Sequence, residues 1–442
     1  MQPQIHSLAT TGPHPLPVRP LPSSSPVLLR LARILLVAAL LAAPLAFGAV
    51  IPQAWMALGL IAGLGLFLWA LGSIAEGAVR IFWSPLDIPL SLFFLLGITQ
   101  YAARLTLDRS ETRQALVLLA TDLVFFFLAT QLFSGAGSAA LPPLGLVALI
   151  FAASLGLFAI LQSASGTERI YGVVETPGGM LFGPYVNRDH FAGLMEMLLP
   201  VGIFYVAGRQ ERFSLERSVG RVSALALALA SLFLSASRGG LLALAAETAI
   251  AAAILRRAAA RSRQGRRLAA AAALALAAGL VVFAYVDPGW AASKLGSVTY
   301  VDRTWKEWAG LRQSMLHDGL SMWRDHPLLG VGLGDFETAY PRYQSFPTDM
   351  WIDHAHNDYV EAAAETGLAG LLLLLAALAL FIRLAFRDCM NPFHSHPAWI
   401  RLGAALGCCG LLVHSFVDFN LHIPANAAWF AVLAGIATSR GD

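Results

Sequence analysis

The sequence is poor in charge: charged residues make up 13% of the chain, whereas hydrophobic residues make up 57%. Its mean hydropathy is +0.65. A soluble protein needs far more polar surface than this composition supplies. The composition therefore excludes an ordinary soluble enzyme and indicates a chain that lies in a lipid bilayer.

Cysteine is scarce, and nucleotide-binding glycine motifs are absent. The three cysteines, Cys389, Cys408 and Cys409, fall at a cytoplasmic end or inside a predicted span, so we expect no disulfide in an outer loop. Neither a Walker-type phosphate loop nor a G-x-G-x-x-G pattern occurs. These absences argue against an ATP-driven pump and a dinucleotide-dependent enzyme. We predict no cofactor and no nucleic-acid partner.

Long apolar runs are abundant instead. A helix needs about 20 apolar residues to cross a hydrocarbon core roughly 30 Å thick, and the chain offers about twelve such runs. We therefore predict an all-α fold, a polytopic transmembrane helical bundle. The predicted spans are approximately 31–50, 54–74, 86–102, 114–133, 141–162, 190–208, 222–237, 239–256, 268–286, 367–387, 402–417 and 423–438.

Four regions follow from this pattern. Residues 1–27 are rich in proline and serine and predict a disordered cytoplasmic tail. Residues 28–286 hold helices one to nine, residues 287–366 form a large outer loop containing short helices, and residues 367–442 hold the last three helices. The first helix follows two arginines and resembles a secretory signal, but the many later spans favour an uncleaved helix.

Arginines set the predicted orientation, because short cytoplasmic loops are enriched in them. The loops after spans six and eight are the richest, and both are even-numbered exits. The large loop, the 163–189 loop and the turn at 237–238 then lie on the opposite, outer face. The 103–113 loop does not fit this topology, because it carries arginines although it is expected outside. The arginines of the two cytoplasmic loops are Arg209, Arg212, Arg217, Arg221, Arg256, Arg257, Arg261, Arg263, Arg266 and Arg267.

The large outer loop has its own pattern. Residues Trp305–Trp323 carry apolar side chains near helical spacing, which predicts an amphipathic helix. The segment Asp325–Phe336 is a glycine-rich turn that either packs structurally or lets the backbone approach a ligand. The polar segment Asp353–Asp358 then leads through a short helical stretch into span ten.

At this point the chain resembles a known family. His356-Asn357, followed by nine residues and Gly367-Leu368, matches the H-[NSQ]-x9-G-L signature of the O-antigen ligase and polymerase superfamily. The segments 183–193, 235–240 and 325–336 resemble the same family, and the resemblance covers roughly residues 140–440. Family members often have Asn where Asp189 stands, so we assign Asp189 no role.

The resemblance implies a function. It predicts a metal-independent glycosyltransferase that moves a glycan from an undecaprenyl-diphosphate carrier to an acceptor hydroxyl, with its active loop in the periplasm and its helices in the bacterial inner membrane. The implied partners are the lipid-linked donor, membrane lipids, and a glycolipid, glycan or protein acceptor. O-antigen ligase, polysaccharide polymerase and protein O-oligosaccharyltransferase remain open as alternatives.

The residue types suit this chemistry. A sugar hydroxyl needs a base to take its proton, and His356 is our candidate. Arginine forks bind diphosphate oxygens bidentately, and Arg238 and Arg312 are our candidate clamps, with Arg303 as the alternative to Arg312. The structural alternatives are an arginine that extends to the lipid headgroups and a solvated helix face. The candidate substrate-binding residues, besides Arg303, are Asn187, Arg188, Asn357 and Asp358, the last two of which could instead position His356 or cap a helix.

Two competing interpretations remain. The set His354-x-His356-x-Asp358 has the look of metal ligands, but the helix expected downstream would turn the two histidines apart, so we assign no metal. A secondary transporter is the alternative of another class, since twelve spans are common there. Glu196 and Glu247 are the main carboxylates within the spans, and neither has an obvious partner in sequence. The polar run 414–422 either lines the acceptor side or forms a polar collar at a helix end.

Overall fold

A computed structural model of the chain describes residues 25–77, 79–176, 180–209, 215–259, 303–348, 351–387 and 395–439. The described residues are almost entirely helical, and a two-residue antiparallel pair is the only sheet in this part of the chain. The helices are α1 Ser25–Leu45, α2 Pro52–Ala75, α3 Asp87–Ala102, α4 Arg109–Phe133, α5 Leu141–Ala164, α6 Arg188–Ala207, α7 Leu215–Leu234, α8 Arg238–Ala259, α9 Arg303–Asp325, α10 Phe336–Ala339, α11 Asp358–Ala385, α12 His396–His414 and α13 Pro424–Thr438. The strands are β1 Arg169–Ile170 and β2 Val174–Glu175, with Arg169 opposite Glu175.

The apolar helices confirm the predicted fold class. Within the described residues, nine helices are long and apolar enough to cross a membrane, and the two shorter helices α3 and α13 are apolar as well. Eleven predicted spans therefore have a helix in the structure. The ninth predicted span, 268–286, lies outside the described residues, as do residues 1–24 of the predicted tail and Cys389.

The centre of the bundle is the pair α6 and α12. Nearly the whole of α6 is buried, and α12 lies directly on its backbone. A Cβ on Gly403 would stand 2.7 Å from the carbonyl oxygen of Pro200, and one on Gly407 would stand 2.6 Å from that of Met197. Glycine at these two positions allows the helices to approach this closely, as small residues do in membrane bundles.

One end of the bundle gathers the loops that the sequence predicts to be outside. Asp335, near the end of the glycine-rich turn, accepts hydrogen bonds from the backbone N–H of Leu107 at 2.6 Å and from the Thr106 hydroxyl. The 103–108 loop therefore lies on the same face as the segment 303–348, although Arg104 and the nearby Arg109 and Arg113 favour the opposite face. At the opposite end, Arg33 donates to the Leu132 carbonyl at 2.9 Å.

The glycine-rich turn packs structurally against a break in α11. Gly367 has φ 63°, which interrupts the helix, and the freed backbone groups pair with the turn. Val331 N donates to the Ala364 carbonyl at 3.0 Å, and Leu368 N donates to the Pro327 carbonyl at 2.8 Å. The structural interpretation of this turn is therefore correct. The glycine of the family signature marks the break, which lies where span ten was predicted to begin, although α11 already starts at Asp358.

The predicted amphipathic helix is present as α9. Its buried residues Met315 and Met322 pack with Phe336 and Tyr340 in a small hydrophobic cluster separate from the bundle core. This second core holds the outer segment on the end of the bundle.

Candidate active site

Helix ends from distant parts of the chain converge at the end of the bundle that the sequence predicts to lie outside, which is called the outer end below. The first turns of α6, α8 and α11 meet the last turn of α12, and α9 crosses beside them. Polar groups buried in a membrane protein are costly unless they are paired, so their concentration here makes this a candidate functional site. The residues gathered are Asp189, Glu196, Arg312, His356, His414 and Asp418.

His356 is held in position by the helix that follows it. Its φ of 50° is a left-handed conformation that non-glycine residues adopt only where the surroundings hold it. The next residue, Asn357, caps α11 by accepting from Tyr359 N and Val360 N, each at 3.1 Å. Asn357 also donates its side-chain N–H to the Phe416 carbonyl at 2.9 Å. The residue therefore acts as a cap and joins the His356 segment to the end of α12.

His356 pairs with a buried carboxylate. Its Nδ1 lies 3.0 Å from Oδ1 of Asp418, whose side chain is 1% exposed. Burial alone would raise the pKa of Asp418, but the hydrogen bond from His356 and the nearby rings of His190 and His414 hold that pKa below its usual range. Asp418 is therefore a charged acceptor, and Nδ1 of His356 must donate to it. Nε2 of neutral His356 is then left with a lone pair, which is the arrangement of a general base and its orienting carboxylate.

A second histidine–carboxylate pair, His414 and Glu196, lies deeper in the bundle. Nδ1 of His414 lies 3.1 Å from Oε2 of Glu196, and its Nε2 lies 4.0 Å from Oδ2 of Asp418. The sequence shows no obvious partner for Glu196, and the structure supplies one, His414, which lies 218 residues away in the sequence. Gly239 lies against the His414 ring, and a Cβ there would overlap Nε2. The S-A-S-R-G-G segment thus brings the start of α8 directly onto this line of side chains.

Both candidate arginine clamps lie beside the line of side chains formed by His356, Asp418, His414 and Glu196. Arg312 projects from α9, donates Nη1 to the Val417 carbonyl at 3.0 Å and places Nη2 3.7 Å from Oδ2 of Asp189. Its side chain is 30% exposed, so it can also reach a ligand. Arg238 is the first residue of α8 and is half-buried. Its neighbour Gly239 contacts His414, so the backbone of Arg238 borders the site.

Three other predicted binding residues, Asn187, Arg188 and Arg303, lie at the starts of helices α6 and α9. Asn187 caps α6, accepting from Asp189 N at 2.9 Å. Arg188 follows it, and its buried Nε has no hydrogen-bond partner among the described residues. Arg303 begins α9, nine residues before Arg312, and its side chain is outside the described set.

Asp358 belongs to a neighbouring cluster, in which its carboxylate pairs with His422. Its Oδ1 accepts from Nδ1 of His422 at 2.9 Å, and Nε2 of the same ring lies 3.3 Å from Oε1 of Glu361. His354 approaches Glu361 as well, with Nδ1 2.6 Å from Oε1. The set His354-x-His356-x-Asp358 is therefore not assembled: residues 351–357 are irregular, and the two histidines turn to different carboxylates.

The carboxylates of Glu361 and Asp358 also shift the pKa values of His354 and His422. Burial would lower the pKa of His354, but Glu361 outweighs it and raises that pKa above the usual value. Burial is likewise outweighed at His422, where Glu361 and Asp358 raise the pKa to about 10. At neutral pH, without other ligands, His422 is therefore an imidazolium held between two carboxylates.

Three residues of the site were not among the predicted site residues, namely Asp189, His414 and Asp418. Asp418 and His414 lie in the polar run 414–422, for which a helix-end collar was one of the two interpretations. The useful signal was the run itself, since four ionisable or amide groups next to a membrane span need partners. Nothing in the local sequence indicated that His356 would be the partner of Asp418.

Comparison with known proteins agrees with the motif. A family model described as O-antigen ligase matches residues 223–375, a segment that contains Arg238, Arg312 and His356. The match confirms the predicted resemblance. No curated protein matches the chain.

Proposed function

We propose that this member of the O-antigen ligase superfamily transfers a glycan from an undecaprenyl-diphosphate carrier to an acceptor hydroxyl at the periplasmic face of the bacterial inner membrane. The observation that carries the proposal is the His356–Asp418 pair, 3.0 Å apart, with Arg312 and the first turn of α8 beside it. Base, orienting carboxylate and cationic groups stand together at one end of a membrane bundle.

In this reaction His356 acts on the acceptor. Its Nε2 takes the proton of the hydroxyl while the hydroxyl oxygen forms a bond to the anomeric carbon of the donor sugar. The bond from that carbon to the diphosphate oxygen breaks, and undecaprenyl diphosphate leaves with the electron pair. Asp418 stabilises the imidazolium that forms, because its charge is already in place before the proton moves.

The arginines act on the leaving group. Arg238 and Arg312 would bind the diphosphate oxygens bidentately and neutralise the charge that grows as the glycosidic bond breaks. The first turn of α8 adds the positive end of a helix dipole on the same side. Two guanidinium groups and an imidazole supply all the charges that the step needs, so the proposed chemistry is metal-independent.

The remaining predicted residues take supporting roles. Asn187 and Asn357 use their side chains as helix caps, and Asp358 holds His422, so we assign all three to positioning. Arg188 stays a candidate donor contact because its buried Nε is without a partner among the described residues. Arg303 stays the alternative to Arg312.

The polar groups favour an enzyme over a transporter. A carrier needs ionisable or broken-helix sites near the bilayer midplane. Within the described residues, the groups that pair with one another, Glu196, His414 and Asp418, lie near the outer end of the bundle. Glu247, buried in α8, is a single carboxylate without a hydrogen-bond partner among these residues. Substitution of His356 by alanine separates the two classes in purified protein, because an enzyme loses glycan transfer while a carrier that does not use this residue keeps substrate flux.

The acceptor decides between the members of the superfamily. Lipid-linked glycans, envelope polysaccharide and glycoproteins should be compared in a strain that lacks this protein. Loss of glycan on the lipid A core identifies a ligase, short glycan chains identify a polymerase, and unmodified proteins identify a protein O-oligosaccharyltransferase. Normal glycans in all three fractions would contradict the proposed function.

A further inference from the structure

The cluster next to the proposed base has the donor set of a metal site. His354 Nδ1, Glu361 Oε1 and His422 Nε2 lie within 4.8 Å of one another. Two imidazole nitrogens and one carboxylate oxygen form a common ligand set for zinc, with the fourth position open to solvent or another ligand. None of these three residues has a part in the proposed transfer.

The distances agree with such a site. Ligand atoms bound to a tetrahedral zinc at about 2.0–2.1 Å stand roughly 3.3 Å apart. Nε2 of His422 and Oε1 of Glu361 are already 3.3 Å apart. Nδ1 of His354 is 2.6 Å from the same oxygen, a direct hydrogen bond that an ion between the two atoms would replace. The His422 side chain is one-third exposed, so an ion can reach the cluster.

The surroundings orient the ligands as outer-shell groups do in metal sites. Nδ1 of His422 donates to Asp358, which turns Nε2 towards Glu361 and makes that nitrogen a better ligand. The second oxygen of Glu361 accepts from Ala355 N at 2.8 Å, which fixes the carboxylate. The His354 ring stacks on Phe419 with centroids 4.2 Å apart. All three ligands are thus held before any ion arrives.

A second cluster, Asp189, His414 and Asp418, also brings three ligand atoms together. Its carboxylates are already engaged by cationic or donor groups, Asp418 by His356 and Asp189 by Arg312. An ion there would compete with both the base and the clamp. Among the described residues, the ion pairs of the first cluster join histidines to carboxylates and include no guanidinium, and its three ligands have no role in the proposed transfer.

We propose that His354, Glu361 and His422 bind one divalent transition-metal ion of the zinc type, with Asp358 supporting His422. The ion joins the 351–357 segment, the first turn of α11 and the turn at Asn420–His422. His356 lies two residues after the ligand His354. Its partner Asp418 lies four residues before the ligand His422. The ion therefore fixes the two segments that carry the base and its carboxylate and takes no part in the transfer chemistry.

The test is the metal content of the full-length protein, purified in detergent through a tag that contains no histidine. After chelation and removal of the chelator, zinc is titrated back and bound zinc is measured by elemental analysis. We expect about one zinc per chain and a rise in the thermal unfolding temperature on binding. Asp358→Asn should weaken zinc binding by roughly 10- to 100-fold.

Substitutions of the proposed ligands test where the ion binds. His422→Ala and Glu361→Gln should lose the bound zinc, whereas His317→Ala, on the 70% exposed histidine of α9, should keep it. Wild-type protein that binds no zinc and gains no thermal stability from it overturns the proposal, whatever the variants do. Zinc retained by His422→Ala, or lost through His414→Ala instead, overturns the location. These measurements need no glycan donor, so their failure leaves the proposed transferase function untouched, and the reverse also holds.

Discussion

Replacing Asp418 by asparagine changes one charge in the proposed site and leaves its shape. The wild-type carboxylate lies 3.0 Å from Nδ1 of His356 and is almost fully buried. Because its pKa is held below the usual range, it is charged at every pH above about 4, and its contribution is lost only under strongly acidic conditions. Asparagine keeps the volume but has no charge to offer the imidazolium.

The magnitude follows from that geometry. A hydrogen bond to a charged group contributes about 1.5–3 kcal/mol, and the attraction of two unit charges roughly 4 Å apart at an effective dielectric constant of about 20 is about 4 kcal/mol. A loss of about 3 kcal/mol corresponds to roughly a hundredfold lower turnover. The interaction grows only as the proton moves, so kcat should fall while KM for the lipid-linked donor changes little.

The assay compares Asp418→Asn with Asp353→Asn in purified protein that transfers a labelled glycan from its lipid carrier. Asp353 is an exposed carboxylate in the same segment as His356, so its substitution controls for loss of a nearby negative charge. Turnover of Asp418→Asn near that of wild type, with normal protein levels in the membrane, would refute the role assigned to the pair.

Three further predictions concern the clamp, the helix break and the orientation. Arg238→Lys or Arg312→Lys keeps the charge but loses the bidentate fork, so activity should fall by about a hundredfold and donor binding should weaken; wild-type activity at Arg312→Lys would move the assignment to Arg303. Gly367→Ala places a side chain at φ 63° against the Leu328 backbone and should destabilise the protein by more than about 1 kcal/mol, seen as a lower thermal unfolding temperature; an unchanged temperature would contradict the packing described. In a cysteine-free background, an impermeant thiol reagent applied to intact cells should label a cysteine at 345 but not at 262, and labelling at 262 would reverse the orientation.

Hydropathy was sufficient to predict the bundle. Each predicted span within the described residues has a helix, because the bilayer demands long apolar helices whatever their partners. The amphipathic helix α9 was predicted for a similar reason, since its apolar residues recur at helical spacing. Its partners were not, because the residues that cover Met315 and Met322 come from other parts of the outer segment.

The site was predictable only in part. His356, Arg238 and Arg312 are suggested by their chemistry and by short motifs, and the structure brings Arg312 and His356 to the same few residues, Val417 and Asp418. The partners of these residues depend on long-range contacts: 62 residues separate His356 from Asp418. No local pattern specifies such a pairing. Asp189 shows the same limit, because its departure from the family pattern gave no reason to place it beside Arg312.

The central claim is that His356 is the base of a glycan transfer at the outer end of the bundle. The most direct measurement is single-turnover transfer by purified protein supplied with an undecaprenyl-diphosphate-linked glycan and acceptor, for wild type, His356→Gln and the exposed-histidine control His317→Gln. We expect glycosylated acceptor and free undecaprenyl diphosphate with wild type and control, and neither product with His356→Gln, although that variant still binds the donor. Transfer by His356→Gln at the wild-type rate would contradict the central claim.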